Sequence, residues 1–409
     1  MNLTLPPPAG GRPDVLIIAG EHSGDAHAAR MVRELRQLQP NRVVCALGGP
    51  ELAGAGAQVL WDLTSSSVVG LVEVLRNLSF FRALHAEILR WVTAYRPKVV
   101  CFIDYPGLNL RLAEALRGLS LSAAGGGAIR TVYYISPQIW AWKGDRRFTM
   151  ARDLDSIAVI FPFETESYAD TILPAEFVGH PFVAPDAVLP VRYDPAGPVL
   201  LLPGSRTQAV RRIFPALLAG HQVFGERPAV VLYPSERIRR ELESLLPATI
   251  KNVSLRSVGS PFAEASGDGS EAKRSLASEP LGASAVLTSS GTMSMQCALA
   301  GIPGAIAYRA NPLTYLMGRL LVRVPYLGIA NLLLRRPMYP EFIQGAATPA
   351  ALANELRICV HEASRRERTR TDAADLRALL SVPASGTAGD WLARQLEAAE
   401  RLVPGALLS

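Results

Sequence analysis

Three short loops each follow an apolar run and precede a helical pattern: Gly20-Glu21-His22-Ser23-Gly24-Asp25, Pro203-Gly204-Ser205-Arg206 and Ser289-Ser290-Gly291-Thr292. A loop that feeds a helix turns free backbone N–H groups and the positive end of the helix dipole toward an anion. In the second loop Gly204 permits close backbone approach, Ser205 offers a hydroxyl, and Arg206 can fork onto phosphate oxygens. An ordinary strand-to-helix turn with a capping serine competes with the phosphate reading. Two such loops in one half of the chain bring the two readings level. No loop has the G-x-x-x-x-G-K-S/T or the G-x-G-x-x-G spacing, and Gly48-Gly49-Pro50 with Gly54 and Gly56 does not supply it, so kinase and dehydrogenase chemistry lose ground.

Acid and base candidates are few. Asp104 ends the apolar run Val99-Val100-Cys101-Phe102-Ile103, so it should emerge at a strand end where a carboxylate can accept a substrate proton; a helix cap is the competing role. Glu21 and His22 follow the first strand in the same way, and a loop histidine that only bonds locally is the plainer reading of His22. His180, in Phe177-Val178-Gly179-His180-Pro181, either reaches a ligand or closes a hinge. No G-x-S-x-G elbow accompanies these histidines, so a Ser-His-Asp triad is not indicated. Tyr133 through Arg147 gathers aromatics, amides and cations after a strand, with two of the five tryptophans, suited to plugging helices or to stacking on a sugar. Gly70-Leu71-Val72-Glu73-Val74 reads as a loop entering an amphipathic helix. The four cysteines are far apart with no Cys-x-x-Cys, which argues against a disulfide framework or a zinc site.

The elements that must position these residues are parallel α/β units. Strands are expected at Val15–Ala19, Val43–Leu47, Val99–Ile103, Thr131–Ile135 and Ile157–Ile160, with helical patterns around 26–39, 79–95 and 109–118. A second set of strands is expected at Val199–Leu202, Ala229–Leu232, Val253–Val258, Ala285–Leu287 and Ala305–Ala307. The 409 residues suit two domains rather than one, and 49% hydrophobic content excludes wholesale disorder. The expected division is a disordered Pro/Gly-rich tail over 1–12, a Rossmann-like domain over 13–182, a proline-rich linker over 183–198, a second such domain over 199–380, and a carboxyl-terminal helix over 381–409 that packs back across the domains. Two parallel-sheet domains would face a cleft at their strand ends. No basic region precedes an apolar one at the amino terminus, so no signal peptide is expected. The uncharged stretch Pro280–Tyr308 contains Ser289, Ser290, Thr292, Ser294, Gln296 and Pro303, which argues for a strand, a polar loop and a helix rather than a membrane span. The net charge of +6 is spread along the chain and permits an anionic partner without naming it.

Here a resemblance becomes specific. Ser136-Pro137-Gln138-Ile139-Trp140-Ala141-Trp142, Ala19 through Asp25, Phe161-Pro162-Phe163-Glu164, Gly179-His180-Pro181, Leu202 through Arg206 and Ser290-Gly291-Thr292 resemble lipid-A-disaccharide synthase in the family's own order. The resemblance spans about Val15 to Gln344. It implies the two-domain GT-B fold and an inverting, metal-independent glycosyltransferase without a cofactor. The reaction implied moves 2,3-diacylglucosamine from its UDP donor to 2,3-diacylglucosamine 1-phosphate, forming the β-1′,6 linkage. Carried over residue by residue, Asp104 is the base and Glu21 a second catalytic position. Gly204, Ser205, Arg206, Ser290, Gly291, Thr292 and Gln296 would hold UDP. His22, Ser23, Asn109, Ser136, Gln138, Trp140, Arg146, His180, Asn331 and Gln344 would form the acceptor side and the cleft.

The chain departs from the family pattern at four places that bear on chemistry. Gly107 and Ala209 stand where acidic residues are usual, Gln296 replaces a glutamate suited to the donor ribose, and His22 replaces a small residue or threonine. Near Asn331 the usual Pro-Asn-Leu is Ala330-Asn331-Leu332, while Glu341 and Gln344 match. These departures keep two alternatives open: another UDP-sugar transferase or epimerase on the same fold, and a non-catalytic lipid- or nucleotide-binding paralogue. Acylated substrates imply a cytoplasmic protein peripheral to the inner face of the inner membrane, and nucleic acid is not an expected partner. Tyr315–Arg336, with Arg319, Arg323, Arg335 and Arg336, suits either an interfacial surface or ordinary core packing.

Overall fold

A parallel strand covered by helices is buried on both faces, so it reads as an unbroken apolar run rather than an alternation. The runs VLIIA, VVCFI and VLLL meet that condition, and every residue in them is buried. The computed structural model describes residues 3–64, 78–257, 279–311, 315 and 324–402. The chain divides into two units, Met1–Ala184 with Val382–Ser409, and Pro185–Ser381.

The first unit contains strands β1 (Val15–Ala19), β2 (Val44–Gly48), β3 (Gln58–Asp62), β4 (Val99–Ile103), β5 (Arg130–Tyr134), β6 (Ser156–Val159) and β7 (Ala175–Phe177). They form one parallel sheet in the order β3-β2-β1-β4-β5-β6-β7. Val15 of β1 faces Val44 on one side and Val99 on the other. Its helices are α1 (His22–Leu38), α2 (Pro50–Gly54), α3 (Leu78–Tyr95), α4 (Pro106–Gly118) and α5 (Arg146–Asp153).

The second unit contains β8 (Val191–Tyr193), β9 (Val199–Leu202), β10 (Ala229–Tyr233), β11 (Val253–Ser257), β12 (Leu281–Ala283), β13 (Ala285–Thr288), β14 (Gly304–Tyr308) and β15 (Glu341–Ile343). Six of these make a parallel sheet ordered β11-β10-β9-β13-β14-β15, while β8 and β12 form a separate pair. Helices α6 (Thr207–Phe224), α7 (Glu236–Leu245), α8 (Thr292–Leu299), α9 (Ile329–Leu334), α10 (Pro349–His361) and α11 (Ala363–Leu380) accompany them. Each unit is thus a doubly wound α/β sheet whose strand order reverses direction once, between β1 and β4 and between β9 and β13.

Two expectations about the connections are corrected, the disordered tail and the separate linker. The described part of the amino-terminal tail, residues 3–12, is packed: Leu5 is 2% exposed, its N–H donates to Glu87 Oε1 at 2.6 Å, and the carbonyl of Pro6 accepts from the Trp91 indole at 2.9 Å. Proline carbonyls remain good acceptors, so side chains hold a segment that has few N–H groups of its own. Within the span read as a linker, Val191–Tyr193 pairs with Leu281–Ala283, so residues 185–198 belong to the second unit. The last helix, α12 (Ala388–Arg401), belongs to the first unit. There Trp391 is fully buried, with its indole donating to Ser156 Oγ at 3.1 Å, and Gly389 N–H donates to Glu34 Oε2 at 2.9 Å. Residue 258, at the end of one expected strand, and the 70–74 loop lie outside the described residues.

Ionic contacts fasten the far end of α12. Glu400 Oε1 lies 2.6 Å from Arg42 Nη1 and 2.7 Å from Lys98 Nζ, both of which also reach Asp14. Hydrogen bonds from Arg42 and Lys98 hold the Glu400 carboxyl down to about 2, against an ordinary value of 4.5. A depressed carboxylate contributes stability above its unfolded pKa and loses it as pH falls through the folded one. The melting temperature should therefore fall more steeply between about pH 5 and pH 2 in the parent than in Glu400→Gln, whose neutral side chain cannot titrate. Parallel acid-melting curves for the two proteins would refute this anchoring.

Candidate functional site

In an open parallel sheet, ligands bind outside the carboxyl ends of the strands where the order reverses. In the first unit that point brings together the loops after β1 and β4. Asp104 and Tyr105 both have left-handed backbone, with φ of 42° and 51°, a conformation that costs about 1–3 kcal/mol per non-glycine residue. Neighbours overdetermine it. Asp104 N–H donates to Tyr134 O at 3.1 Å, while Asp104 O accepts from the Tyr133 hydroxyl and, at 2.7 Å, from Asn109 Nδ2. The same amide nitrogen lies 3.3 Å from Ile103 O and 3.4 Å from Ile18 O, so it ties the ends of β1 and β4 together.

Gly20 makes the corner possible. A Cβ on Gly20 would lie 2.4 Å from the Tyr105 ring, so only glycine lets that aromatic close over the end of β1. Tyr105 occupies the N-cap position of α4 and Glu21 that of α1, and neither helix has a side-chain cap. Tyr105, not Asp104, is therefore the cap residue of α4. Asp104, Glu21 and Ser23 are half-buried, and His22 is exposed in the first turn of α1.

The turn after β5 completes this side. Ser136 is buried with its Oγ 2.7 Å from the Tyr168 hydroxyl, Gln138 is exposed, and Trp140 is half-exposed. The half-buried Arg146 begins α5, with its guanidinium 5.6 Å from the centre of the Trp142 ring. Two residues read from sequence as ligand contacts are buried. Asn109 is completely buried and braces backbone carbonyls. His180 is 4% exposed and accepts the Phe182 N–H at 3.2 Å, and burial pushes its imidazole down to about 3, so it stays neutral.

The second unit solves the corresponding corner with glycine. Gly204 has φ of +110°, and a Cβ there would meet Ser289 Oγ at 3.3 Å. Ser289 N–H donates to Leu202 O at 2.8 Å, which registers the loop after β13 against the end of β9. Arg206 is the N-cap residue of α6 and Gly291 that of α8, and again neither helix has a side-chain cap. The capping-serine reading of these loops thus fails. Two neighbouring helix amino ends remain open to an anion, rimmed by the exposed Ser205, Arg206, Gly291 and Thr292 and the half-buried Ser290.

Gln296 lies on α8 and is 2% exposed. Asn331 is fully buried, exchanging hydrogen bonds with the Tyr339 backbone and donating to Glu341 Oε1 at 2.9 Å. Gln344 brackets Ala310, accepting its N–H at 2.9 Å and donating to its carbonyl at 3.2 Å. Both therefore brace strand-end loops of the second unit. Arg319 and Arg323 lie outside the described residues.

Sequence reasoning passed over two buried carboxyl groups. Asp25, 1% exposed, accepts from the backbone of Gly49, Glu51 and Leu52 and so caps α2, although burial raises its pKa. Glu164, 2% exposed, accepts from Trp140 and from Phe161 N–H. An acid three residues after a helix-entry position is a recognisable signal, and Phe161-Pro162-Phe163-Glu164 carries it. Among the described residues no group of three or more His, Cys, Asp or Glu side chains could hold a metal ion, and all four cysteines are buried free thiols. Among them, too, no helix is long and apolar enough to cross a membrane.

The family model for lipid-A-disaccharide synthetase matches residues 15–388, taking in both strand-order reversals and the loops around them. The chain belongs to the lipid-A-disaccharide synthetase family. It is 32% identical over 398 residues to the lipid-A-disaccharide synthase of Nitrosococcus oceani, covering 94% of this chain and 97% of that protein. It is 34% identical over 374 residues to that of Geobacter metallireducens, covering 89% and 92%. Among solved structures, the UDP-GlcNAc 2-epimerase from Neisseria meningitidis bound to UDP-GlcNAc superposes with a TM-score of 0.56 at 10% identity, covering 95% of this chain and 99% of that one. Spinosyn rhamnosyltransferase SpnG complexed with thymidine diphosphate gives 0.53 at 15%, covering 94% and 99%. These likenesses establish a GT-B-like fold for this lipid-A-disaccharide synthetase family member.

The Gly20 contact yields a sharp test. Gly20→Ala forces the Tyr105 ring from the end of β1 and disturbs Asp104 beside it. If Asp104 takes part in the reaction, turnover should fall by about tenfold or more through its displacement, while the melting temperature changes by only a few degrees. Unchanged turnover would show that the Asp104–Tyr105 corner does not set the reacting geometry.

Proposed function

We propose that this chain transfers a 2,3-diacylglucosamine unit from its UDP donor to 2,3-diacylglucosamine 1-phosphate. The products are UDP and the β-1′,6-linked disaccharide, formed with inversion and without a metal. The observation that carries this reading is the pair of uncapped helix amino ends at β9 and β13, inside the span matched by the family. Adjacent helix ends suit a diphosphate, whose charge grows as the donor sugar departs.

In this reading the first unit takes the acceptor. Its 6-hydroxyl oxygen attacks the donor's anomeric carbon from the face opposite UDP. The new C–O bond forms as the bond to the diphosphate breaks, and the hydroxyl proton passes to the Asp104 carboxylate. One displacement inverts the anomeric centre. The charge left on UDP is met by Arg206 and the open N–H groups of α6 and α8. Acyl chains on both substrates favour work at the inner face of the cytoplasmic membrane, since their exposure to water is costly.

The likeness to UDP-GlcNAc 2-epimerase at the level of fold, together with Gly107, Ala209 and Gln296, supports a second reading: a UDP-sugar binder that forms no disaccharide. Mass spectrometry of products after incubation with UDP-diacylglucosamine and diacylglucosamine 1-phosphate separates the two. Disaccharide and UDP in equal amounts, undiminished by a chelator, are expected; epimerised donor, or no product where another family enzyme turns over, would overturn the transferase reading.

Asp104→Asn should lower turnover by about 10²–10⁴-fold, the usual contribution of a general base, while UDP affinity stays within about twofold. Arg206→Ala should weaken UDP binding by roughly ten- to a hundredfold, as expected for a lost charge-assisted hydrogen bond. Titration calorimetry with UDP reads both variants. Weakened UDP binding in Asp104→Asn alone would place the nucleotide on the wrong unit.

A further inference from the structure

Glu164 lies in the 3₁₀ turn Pro162–Tyr168, and the displacement just described gives it no task. Its two carboxyl oxygens face different elements. Oε1 accepts the Trp140 indole N–H at 3.2 Å, and Oε2 accepts the Phe161 backbone N–H at 3.1 Å. None of the ion pairs among the described residues includes Glu164. Packing reinforces the indole's orientation: Phe163 meets it edge-on at 5.3 Å and stacks on Phe161 at 5.8 Å. Phe161 in turn rests 5.2 Å from the His180 ring. Trp140 thus keeps one part of its ring half-exposed while its polar edge is anchored inward, and it does so on the loop leaving β5, the strand next to β4 and Asp104.

We propose that Glu164 is a positioning residue for the acceptor: by gripping the Trp140 indole it sets the Ser136–Trp142 turn beside the strand end that bears Asp104. This rests on the first unit being the acceptor side and deepens that reading by naming what orients its stacking surface. A free tryptophan on a surface turn samples several rotamers, and ordering it on binding costs affinity. An indole fixed beforehand spares that cost, which is felt by the acceptor and not by the donor.

The arrangement also has a pH limit. Burial pushes the Glu164 carboxyl up to about 8, the neighbouring Asp104 charge acts in the same direction, and the Phe161 and Trp140 donors only partly offset them. The other groups around it are Tyr168 on its own turn, Arg146, whose field acts on Tyr168 and Tyr133, and the neutral His180. Near neutral pH Glu164 keeps its proton, and the corner carries the charge of Asp104 without a second buried one. Above about pH 8 the ionised Glu164 bonds the indole more strongly but has no cationic partner, and the cost of keeping that charge buried favours opening of the turn to water.

The test uses the full chain with UDP-diacylglucosamine and detergent-dispersed diacylglucosamine 1-phosphate, and measures KM for each substrate over roughly pH 6.5–9.5, the window around a raised carboxyl group. In the parent, acceptor KM should climb above about pH 8 while donor KM stays level. Glu164→Gln keeps an oxygen for the indole but cannot ionise, so its acceptor KM should stay flat. Glu164→Ala and Trp140→Phe should each raise acceptor KM about tenfold, and the double variant no further, because both remove the same bond. A basic limb unchanged in Glu164→Gln would overturn the proposal, as would a shift of both KM values alike. Trp140→Phe changes a half-exposed ring and keeps the test available if Glu164→Ala does not fold. A parent that forms no disaccharide overturns the functional reading and this proposal together, whereas an active parent with unmoved acceptor KM in the variants overturns this proposal alone.

Discussion

Strand β4 ends on two consecutive left-handed residues, Asp104 and Tyr105, neither of them glycine. Such a corner is unfavourable by about 1–3 kcal/mol per residue and persists only where its surroundings leave no alternative. Here the Asn109 amide bridges carbonyls from two adjacent strands, Tyr133 bonds the Asp104 carbonyl, and Gly20 clears the space that the Tyr105 ring fills. Each contact joins elements distant in sequence, so the corner forms only when β1, β4 and β5 are in register. The placement of the Asp104 carboxyl is therefore a property of the assembled sheet, and stability and chemistry share the same few atoms.

The two units meet one geometric demand by different means. At the end of β9 a glycine adopts positive φ, and backbone N–H groups from two helices supply the polar surface. That suits a ligand recognised by charge and spread over several oxygens, for which open amides and a dipole are enough. At the end of β4 side chains do the bracing and a carboxyl group is presented, which suits proton transfer from one hydroxyl. Apolar strands bury both sheets alike, so the difference lies in connections of two to four residues and in the side chains that brace them.

Central strands were legible because burial on both faces writes them as unbroken apolar runs; β1, β4 and β9 match their expected limits. Edge strands such as Gln58–Asp62 and Ala175–Phe177 have only one neighbour and mix polar with apolar residues, so periodicity passes them over. Among the candidate site residues, Asp104, Gly204 and Arg206 could be read from their place after a strand. Asn109, His180, Asn331 and Gln344 are legible as important, but sequence shows only that an amide or imidazole is present and not which backbone groups it holds. In the structure each of the four bonds backbone groups, and Asn109, His180 and Asn331 are buried. Glu164 was hidden for the opposite reason: its meaning comes from the indole of Trp140, 24 residues away.

The departures from the family pattern can be weighed by the space around them. A Cβ on Gly107 would meet nothing within 4 Å, and the residue is exposed at the start of α4. An acidic side chain would fit there, so glycine removes a charge near Asp104 without altering a contact. Gln296 differs, being 2% exposed on α8. A glutamate in so buried a place would carry a desolvation cost that an amide avoids, at the loss of charge assistance in any bond to a hydroxyl. One change thus acts on the charge beside Asp104, the other on the polarity behind the second unit's strand-end loops, and neither disturbs the corner that places that carboxyl.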